Sequence, residues 1–285
     1  MEAQICDKRA ARTAISWTGG KDCNHALLKA WRDSSLDVVA LVVFAPPKPN
    51  FRAHPLPLME AQASALSLPL LHVTVDPEAH GGYMAAYVDG MRTLREEHEI
   101  EVIATGDMDL VGDMKRNWIE ECGEKVGLRA YLPLWQADRE ANLRTLLAEG
   151  VDAVFSCVKS PWFDASWIGR RLDESGVEQL AAMAAATPHV KSEGEGTQRH
   201  GIDLENGISN GVSAAASGDK QRDGAHMPLD LGGERGEYHT MVLNSPLFIQ
   251  PVRLAKASAY EIIESCGKPE SQRWWAIEFE LESKA

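Results

Sequence analysis

Residues 18–23 read Thr-Gly-Gly-Lys-Asp-Cys, setting two glycines beside a hydroxyl, a cation, a carboxylate and a thiol. Adjacent glycines let the backbone approach an anion closely and aim successive N–H groups at it as a concave nest. The apolar run from Ala11 to Trp17 reads as a buried strand, and Leu27, Leu28 and Trp31 recur at helical spacing after the turn. Strand, glycine turn and helix together present a positive helix N-terminus to a ligand, so the chemistry indicated is phosphate binding. Gly19 and Gly20 supply the amides, while Thr18, Lys21 and Cys23 supply a hydroxyl, a charge and a weak thiol donor. The stretch is neither of two familiar phosphate loops. A Walker loop needs glycine at Ile15 and a hydroxyl at Asp22, and the dinucleotide fingerprint needs spaced glycines.

A second chemical group lies far downstream, in Leu229-Asp230-Leu231-Gly232-Gly233-Glu234-Arg235-Gly236-Glu237-Tyr238-His239-Thr240. This glycine-punctuated acidic turn gathers Glu234, Glu237 and His239. Carboxylates beside a histidine can bind a metal, orient an amine or move a proton. Taken alone, such a turn before a strand is ordinarily a solvated connection.

The elements that must position these groups alternate along the chain. Predicted strands at 37–44, 70–75, 102–104 and 153–158 alternate with predicted helices at 57–68, 83–97, 114–126 and 138–149. That order describes an α/β fold with a doubly wound, Rossmann-like parallel sheet. The β-branched run from Asp37 to Phe44 reads as a strand buried on both faces. Ligands of such sheets bind at the carboxyl ends of the strands, which makes the backbone near Phe44 an expected adenine contact. We place a nucleotide-binding domain at 1–173 and a smaller C-terminal α+β domain at 174–285, with a helix at 177–186 and strands at 238–243, 247–254 and 274–281. Residues 191–227 are rich in Gly, Ser, Asp and Glu with almost no large apolar side chain, and read as a flexible insertion.

Composition narrows the function classes. The 285 residues are 44% apolar and 25% charged, as in an ordinary globular protein. The formal net charge of −13 argues against non-specific nucleic-acid binding, which rests on basic surface. The five cysteines form no C-x-x-C pair, so neither a zinc knuckle nor a dithiol site is indicated. No secretory signal or bilayer-length apolar run is visible, so a cytoplasmic protein without a membrane partner is expected. Oligomeric state, a homo-oligomer included, is left open. Gly207-Ile208-Ser209-Asn210-Gly211 matches a nucleophile elbow literally, but it lies in the insertion and lacks the strand and helix an elbow needs.

Thr18 to Cys23 resembles the S-G-G-x-D-S pyrophosphate loop of the ATP pyrophosphatases, the adenine nucleotide alpha-hydrolase group, with Thr18 and Cys23 replacing the two serines. Together with Gly233-Glu234-Arg235-Gly236-Glu237-Tyr238-His239-Thr240, the chain resembles the diphthine–ammonia ligase family. Leu134-Trp135, Asp138-Arg139, Trp167-Ile168-Gly169-Arg170 and the Gly106, Asp107, Arg116 and Glu120 group resemble further family segments. The resemblance implies ATP and Mg²⁺ as cofactors, with elongation factor two carrying diphthine, and ammonia, as partners. It implies an enzyme that adenylates a carboxylate, releases pyrophosphate and forms an amide. Thr18, Gly19, Gly20, Lys21, Asp22, Cys23, Phe44, Gly106, Asp107 and Arg116 are then the expected nucleotide contacts, with Asp22 at the metal. Lys21, Asp22, Glu234, Glu237 and His239 are the expected catalytic residues. Two alternatives share the loop: a tRNA-modifying ATP pyrophosphatase and a non-enzymatic adenine-nucleotide-binding module.

Overall fold

Along Leu36–Ala45, side chains alternate between two cores: Leu41, Val43 and Ala45 enter one, and Ala40, Val42 and Phe44 the other. A strand apolar on both faces must be covered on both, which fixes the layering of the first part of the chain. In the computed structural model, which describes residues 9–49, 51, 53–110, 114–186, 229–264 and 272–282, five strands form that layer. They are β1 (Ala11–Ser16), β2 (Leu36–Ala45), β3 (Leu70–Thr74), β4 (Val102–Ala104) and β5 (Arg129–Tyr131), in spatial order β3-β2-β1-β4-β5. Every pairing in this sheet is parallel. On one face lie α1 (Lys21–Arg32) and α2 (Leu56–Leu66), through Leu27, Leu28, Leu58 and Met59. The other face is covered by α4 (Tyr83–Glu97), which follows the short α3 (Pro77–His80), and by α5 (Trp118–Glu124), through Tyr87, Met91, Leu94 and Ile119. The doubly wound sheet is therefore present.

The strand order reverses between β1 and β4, so the loops after these two strands splay apart and open a crevice at their carboxyl ends. Thr18–Gly20 follows β1 and Thr105–Asp107 follows β4. The topology delivers both loops to one place.

After β5 come α6 (Arg139–Ala148), β6 (Asp152–Lys159) and α7 (Glu174–Ala186), then β7 (Tyr238–Asn244), β8 (Leu254–Glu264) and β9 (Gln272–Leu281). A second sheet has the order β7-β6-β9-β8, antiparallel throughout. This corrects the expected parallel strand at 153–158, because β6 pairs with β7 and β9 instead. All but Asp152 of its residues are buried, so it reads like a parallel core strand, and the pattern does not reveal its partners. Its strand partners β7 and β9 are both C-terminal to residue 173, Arg171 bridges Val154 beside them, and one hydrophobic cluster holds Ile15 and Leu41 together with Phe155, Val158 and Met241. The two sheets therefore share a core.

Three further expectations shift. Residues 247–254, interrupted by Pro251, are not a strand; β8 starts at Leu254 and uses the small residues that follow. The helix expected over 114–126 is confined to 118–124, because Asn117 caps it by accepting from Glu120 N–H. Residues 129–131 form β5, where no strand was expected. The 191–227 insertion lies outside the described residues. Among the described residues, no helix is long and apolar enough to cross a membrane.

Candidate functional site

The loop after β1 is built by contacts that span the chain. Gly19 has φ +80°, and a Cβ there would lie 2.6 Å from Gln62 Oε1, so only glycine fits. Gln62 is fully buried in α2 and donates through Nε2 to the carbonyls of Gly19 (2.9 Å) and Val242 (2.7 Å), while its Oε1 accepts from Trp17 Nε1 (3.0 Å). Val242 N–H in turn donates to Gly19 O (2.9 Å). One amide side chain thus binds loop, helix and second sheet together.

Gly20 caps α1 without any side-chain hydrogen bond. A Cβ on it would meet Thr240 O at 3.1 Å and His54 Cε1 at 3.2 Å. Lys21 N–H donates to Thr240 Oγ1 (3.1 Å), and Lys21 Nζ donates to Asp22 Oδ2 (2.6 Å) and Gly232 O (2.5 Å). Burial works against the Lys21 charge, but Asp22, Tyr238 and Glu234 around it outweigh burial and raise its pKa, so the ammonium is kept. Cys23 Sγ donates to Gly20 O (3.2 Å) and accepts from Thr18 Oγ1 (3.7 Å). Burial pushes this thiol up, so it stays protonated and serves the loop's own shape.

Gly106 is where the β4 loop touches α1. A Cβ there would fall 2.4 Å from the Asp22 carbonyl carbon. The next residue, Asp107, accepts from Asn117 Nδ2 (2.7 Å). Burial raises the Asp107 pKa, hydrogen bonds from Asn117 and Thr105 hold it back, and the Asp22 charge adds to the rise. Arg139, at the start of α6, reaches Asp109 (3.0 Å) on this loop and Asp230 (3.5 Å) on the downstream turn.

The downstream turn folds over the loop. Asp230 Oδ1 accepts from Gly232 N–H (2.8 Å), Tyr238 Oη donates to Leu231 O (2.5 Å), and Gly233 sits at φ +74° against Tyr238. Glu234 points at the pocket, where burial, then the charges of Asp22 and Asp107, push its carboxyl up to about 8 against the opposing pull of Lys21 and Arg139. His239 is lowered to about 4 by burial and by Lys21, and it meets His54 edge-on with ring centroids 5.4 Å apart.

A cavity of about 60 Å³ results, lined by Thr18, Gly20, Lys21, Asp22 and Cys23 from the loop, Gly106 and Asp107 from the β4 side, and Gly232 to Glu234, His239 and Thr240 from the turn. Most expected site residues are therefore brought together. Gly19, packed against Gln62, is not part of the lining, and three more are placed elsewhere. Glu237 is buried behind the turn, where its carboxylate accepts from Asp230 N–H (2.9 Å) and Arg235 N–H (3.1 Å). Arg116 is exposed on the far side of α5 and paired with Glu124 (2.6 Å) and Glu120 (3.3 Å). Phe44 stacks on Tyr87 (4.9 Å) and lines a separate cavity of about 10 Å³. Arg139 falls in a family-like segment without being among the expected contacts, and the motifs do not reveal Gln62, His54 or Asn117 as site residues. Gln62 alone leaves a trace, as a polar residue three and four positions after Met59 and Leu58 on an apolar helix face.

The donor set suits a phosphate: a glycine-capped helix start and a buried ammonium. At about 60 Å³ the room is for one phosphate-sized group, well below the roughly 300 Å³ at which small-molecule sites begin. Among the described residues, no three His, Cys, Asp or Glu side chains converge as a metal cage. Asp22 Oδ1 is nevertheless buried without a partner. One carboxylate completed by substrate phosphates is how Mg²⁺ is commonly held, so Asp22 fits that ion.

Residues 11–130 match the family model described as Diphthamide synthase N-terminal domain, covering the loop and Thr105–Asp107 but not the 229–240 turn. The resemblance is borne out over these residues, and the family indicates an ATP-utilising enzyme of the adenine nucleotide alpha-hydrolase type. No curated protein matches the chain. Among solved structures, a similar chain is the "predicted subunit of tRNA methyltransferase from Methanocaldococcus jannaschii DSM". It is 16% identical, and the match covers 52% of this chain and 79% of that one with a TM-score of 0.34.

Proposed function

We propose that this chain is an ATP-dependent carboxylate–ammonia ligase, and that its acceptor is the diphthine side chain of elongation factor two in the cytoplasm. The observation that carries the reading is the convergence of two distant segments on one cation: Lys21 is held between its own loop and the Gly232 carbonyl. A nucleotide-binding module has no need of that second segment, whereas a ligase needs a place for acceptor and amine beside the phosphates.

In this reading the Gly19 and Gly20 amides, Thr18 and Lys21 hold the β- and γ-phosphates. Asp22 holds Mg²⁺, which when bound supplies charge neutralisation on the phosphate oxygens. An oxygen of the acceptor carboxylate attacks the α-phosphorus, and the bond to the bridging oxygen breaks, releasing pyrophosphate. Ammonia then attacks the acyl carbon, AMP leaves, and the nitrogen loses a proton. Glu234, the carboxyl of the turn that lines the pocket, takes that proton in its ionised form. Lys21 stabilises charge developing on the leaving pyrophosphate, the kind of contribution that is commonly largest.

The test uses purified protein, Mg²⁺ and ATP labelled on the α-phosphate, with and without ammonium and diphthine-bearing elongation factor two. The expected result is AMP that depends on both, with the factor's mass changed from acid to amide. AMP formation without that mass change would remove the acceptor from the reading, and no AMP under any condition would remove the ligase.

A further inference from the structure

His54 stands in the wall between two cavities. It lines the phosphate-sized cavity beside Thr18, Gly20 and Lys21, and also the smaller one formed with Trp17, Phe44 and Phe51 at the carboxyl end of β2. The side chain is 5% exposed, and its Nδ1 has no hydrogen-bond partner. Its Cε1 lies 3.2 Å from where a Cβ on Gly20 would stand, so the ring abuts the glycine cradle itself. A buried polar atom without a partner calls for an explanation, and the residue that carries it also lines the phosphate-sized cavity.

Chain direction supplies the ligand. A nucleotide that sets its terminal phosphates on the Gly20 and Lys21 cradle must carry its α-phosphate away from it, and His54, whose ring abuts Gly20 and forms the cavity wall on the β2 side, stands beside that path. We infer that His54 is a direct ligand of the α-phosphate, its ring donating a hydrogen bond to a non-bridging oxygen of the group that links phosphate cradle and nucleoside. The inference rests on the nucleotide reading above and adds to it the residue that holds the reacting phosphorus. The charged and titratable groups facing the ring are His239 from β7 and Lys21 from α1, which with burial keep it neutral in the empty site. An arriving phosphate favours the protonated, doubly donating form.

The test compares AMP, adenosine and inorganic pyrophosphate as separate probes by calorimetry, on wild type, His54→Phe and His54→Gln. Phenylalanine keeps the ring against Gly20 and His239 but removes both nitrogens, while glutamine restores a donor. Wild type is expected to bind AMP at least tenfold more tightly than adenosine. His54→Phe loses that preference with pyrophosphate affinity changed less than twofold, and His54→Gln regains part of it. If all three proteins bind AMP and pyrophosphate but keep the same preference, the inference is overturned and the nucleotide reading stands. If wild type binds neither AMP, pyrophosphate nor ATP, the nucleotide reading itself fails. Should His54→Phe melt well below wild type, ¹⁵N-histidine spectra of the wild-type protein decide. The His54 ring nitrogens, assigned with His54→Gln, shift with AMP and not with adenosine, and an unmoved signal in AMP-saturated protein overturns the inference.

Discussion

Lys21 Nζ donates to the Gly232 carbonyl at 2.5 Å, so the cation of the N-terminal loop is held by a backbone group 211 residues away. It also pairs with Asp22, its own neighbour in sequence, at 2.6 Å, and lies 5.2 Å from the centroid of the Tyr238 ring. The contacts to Gly232 and Asp22 occupy two of the ammonium's three donors, which makes Lys21 the clasp between the two halves of the pocket.

Lys21→Ala is expected to lower AMP formation by about 10²–10³-fold, the usual scale for removing one preorganised donor from a charged transition state. It also leaves Asp22 without its countercharge, so a modest fall in melting temperature accompanies it. AMP formation at the wild-type rate by a folded Lys21→Ala protein would exclude Lys21 from the chemistry.

Gly106→Ala has no room at all. Its Cβ would lie 2.4 to 2.6 Å from the backbone of Asp22 and Cys23, where neither neighbour is a flexible side-chain tip. Separating the β4 loop from α1 should cost more than about 2 kcal/mol by analogy with overpacked cores, and should weaken nucleotide binding with it. Urea denaturation and nucleotide titration check the two effects.

Glu237→Gln is expected to act on stability before chemistry. The Glu237 carboxylate ties the 230–237 turn through two backbone N–H groups, and hydrogen bonds to a charged acceptor contribute roughly 1.5–3 kcal/mol each. Glutamine keeps one acceptor oxygen, so a loss of about 1–2 kcal/mol in denaturant is expected. A variant as stable as wild type but catalytically dead would return Glu237 to the catalytic group.

The pocket's charges give opposite pH signatures. Folding raises Glu234 from 4.5 to about 8, so the native state holds a proton that the unfolded chain has released, and stability falls as pH rises across that interval. Glu234→Gln removes this loss and should gain on wild type from pH 5 to 8. His239 is lowered from 6.5 to about 4, so its contribution is present above 6.5 and is lost as pH falls toward 4. His239→Gln should therefore lose less melting temperature than wild type between pH 7 and 4. Melting curves across this range test both, and variants that track wild type at every pH would contradict the burial that sets these values.

Arg116→Ala should change little: below about 1 kcal/mol in stability, as for other exposed ion pairs, and less than twofold in nucleotide affinity. A tenfold loss of affinity would bring Arg116 back to the site.

What the sequence determined about this protein is what is local. Thr18 to Cys23 is legible in six residues as a glycine turn between strand and helix, because adjacent glycines and the helix start after them fix that local geometry. The run Asp37 to Phe44 likewise announces a strand that both faces of a parallel sheet must cover. Tertiary structure decided the rest, because partners are chosen by packing across the chain. The apolar pattern of β6 suits either kind of sheet, and only its contacts with β7 and β9 made it antiparallel. Glu237 and Glu234 look alike in sequence, yet the turn buries one against its own amides and aims the other at the pocket. Gln62 and His54 carry no motif. They matter because α2 and the segment before it pack against Gly19 and Gly20, and no spacing along the chain records which side chain a fold will press against a given glycine.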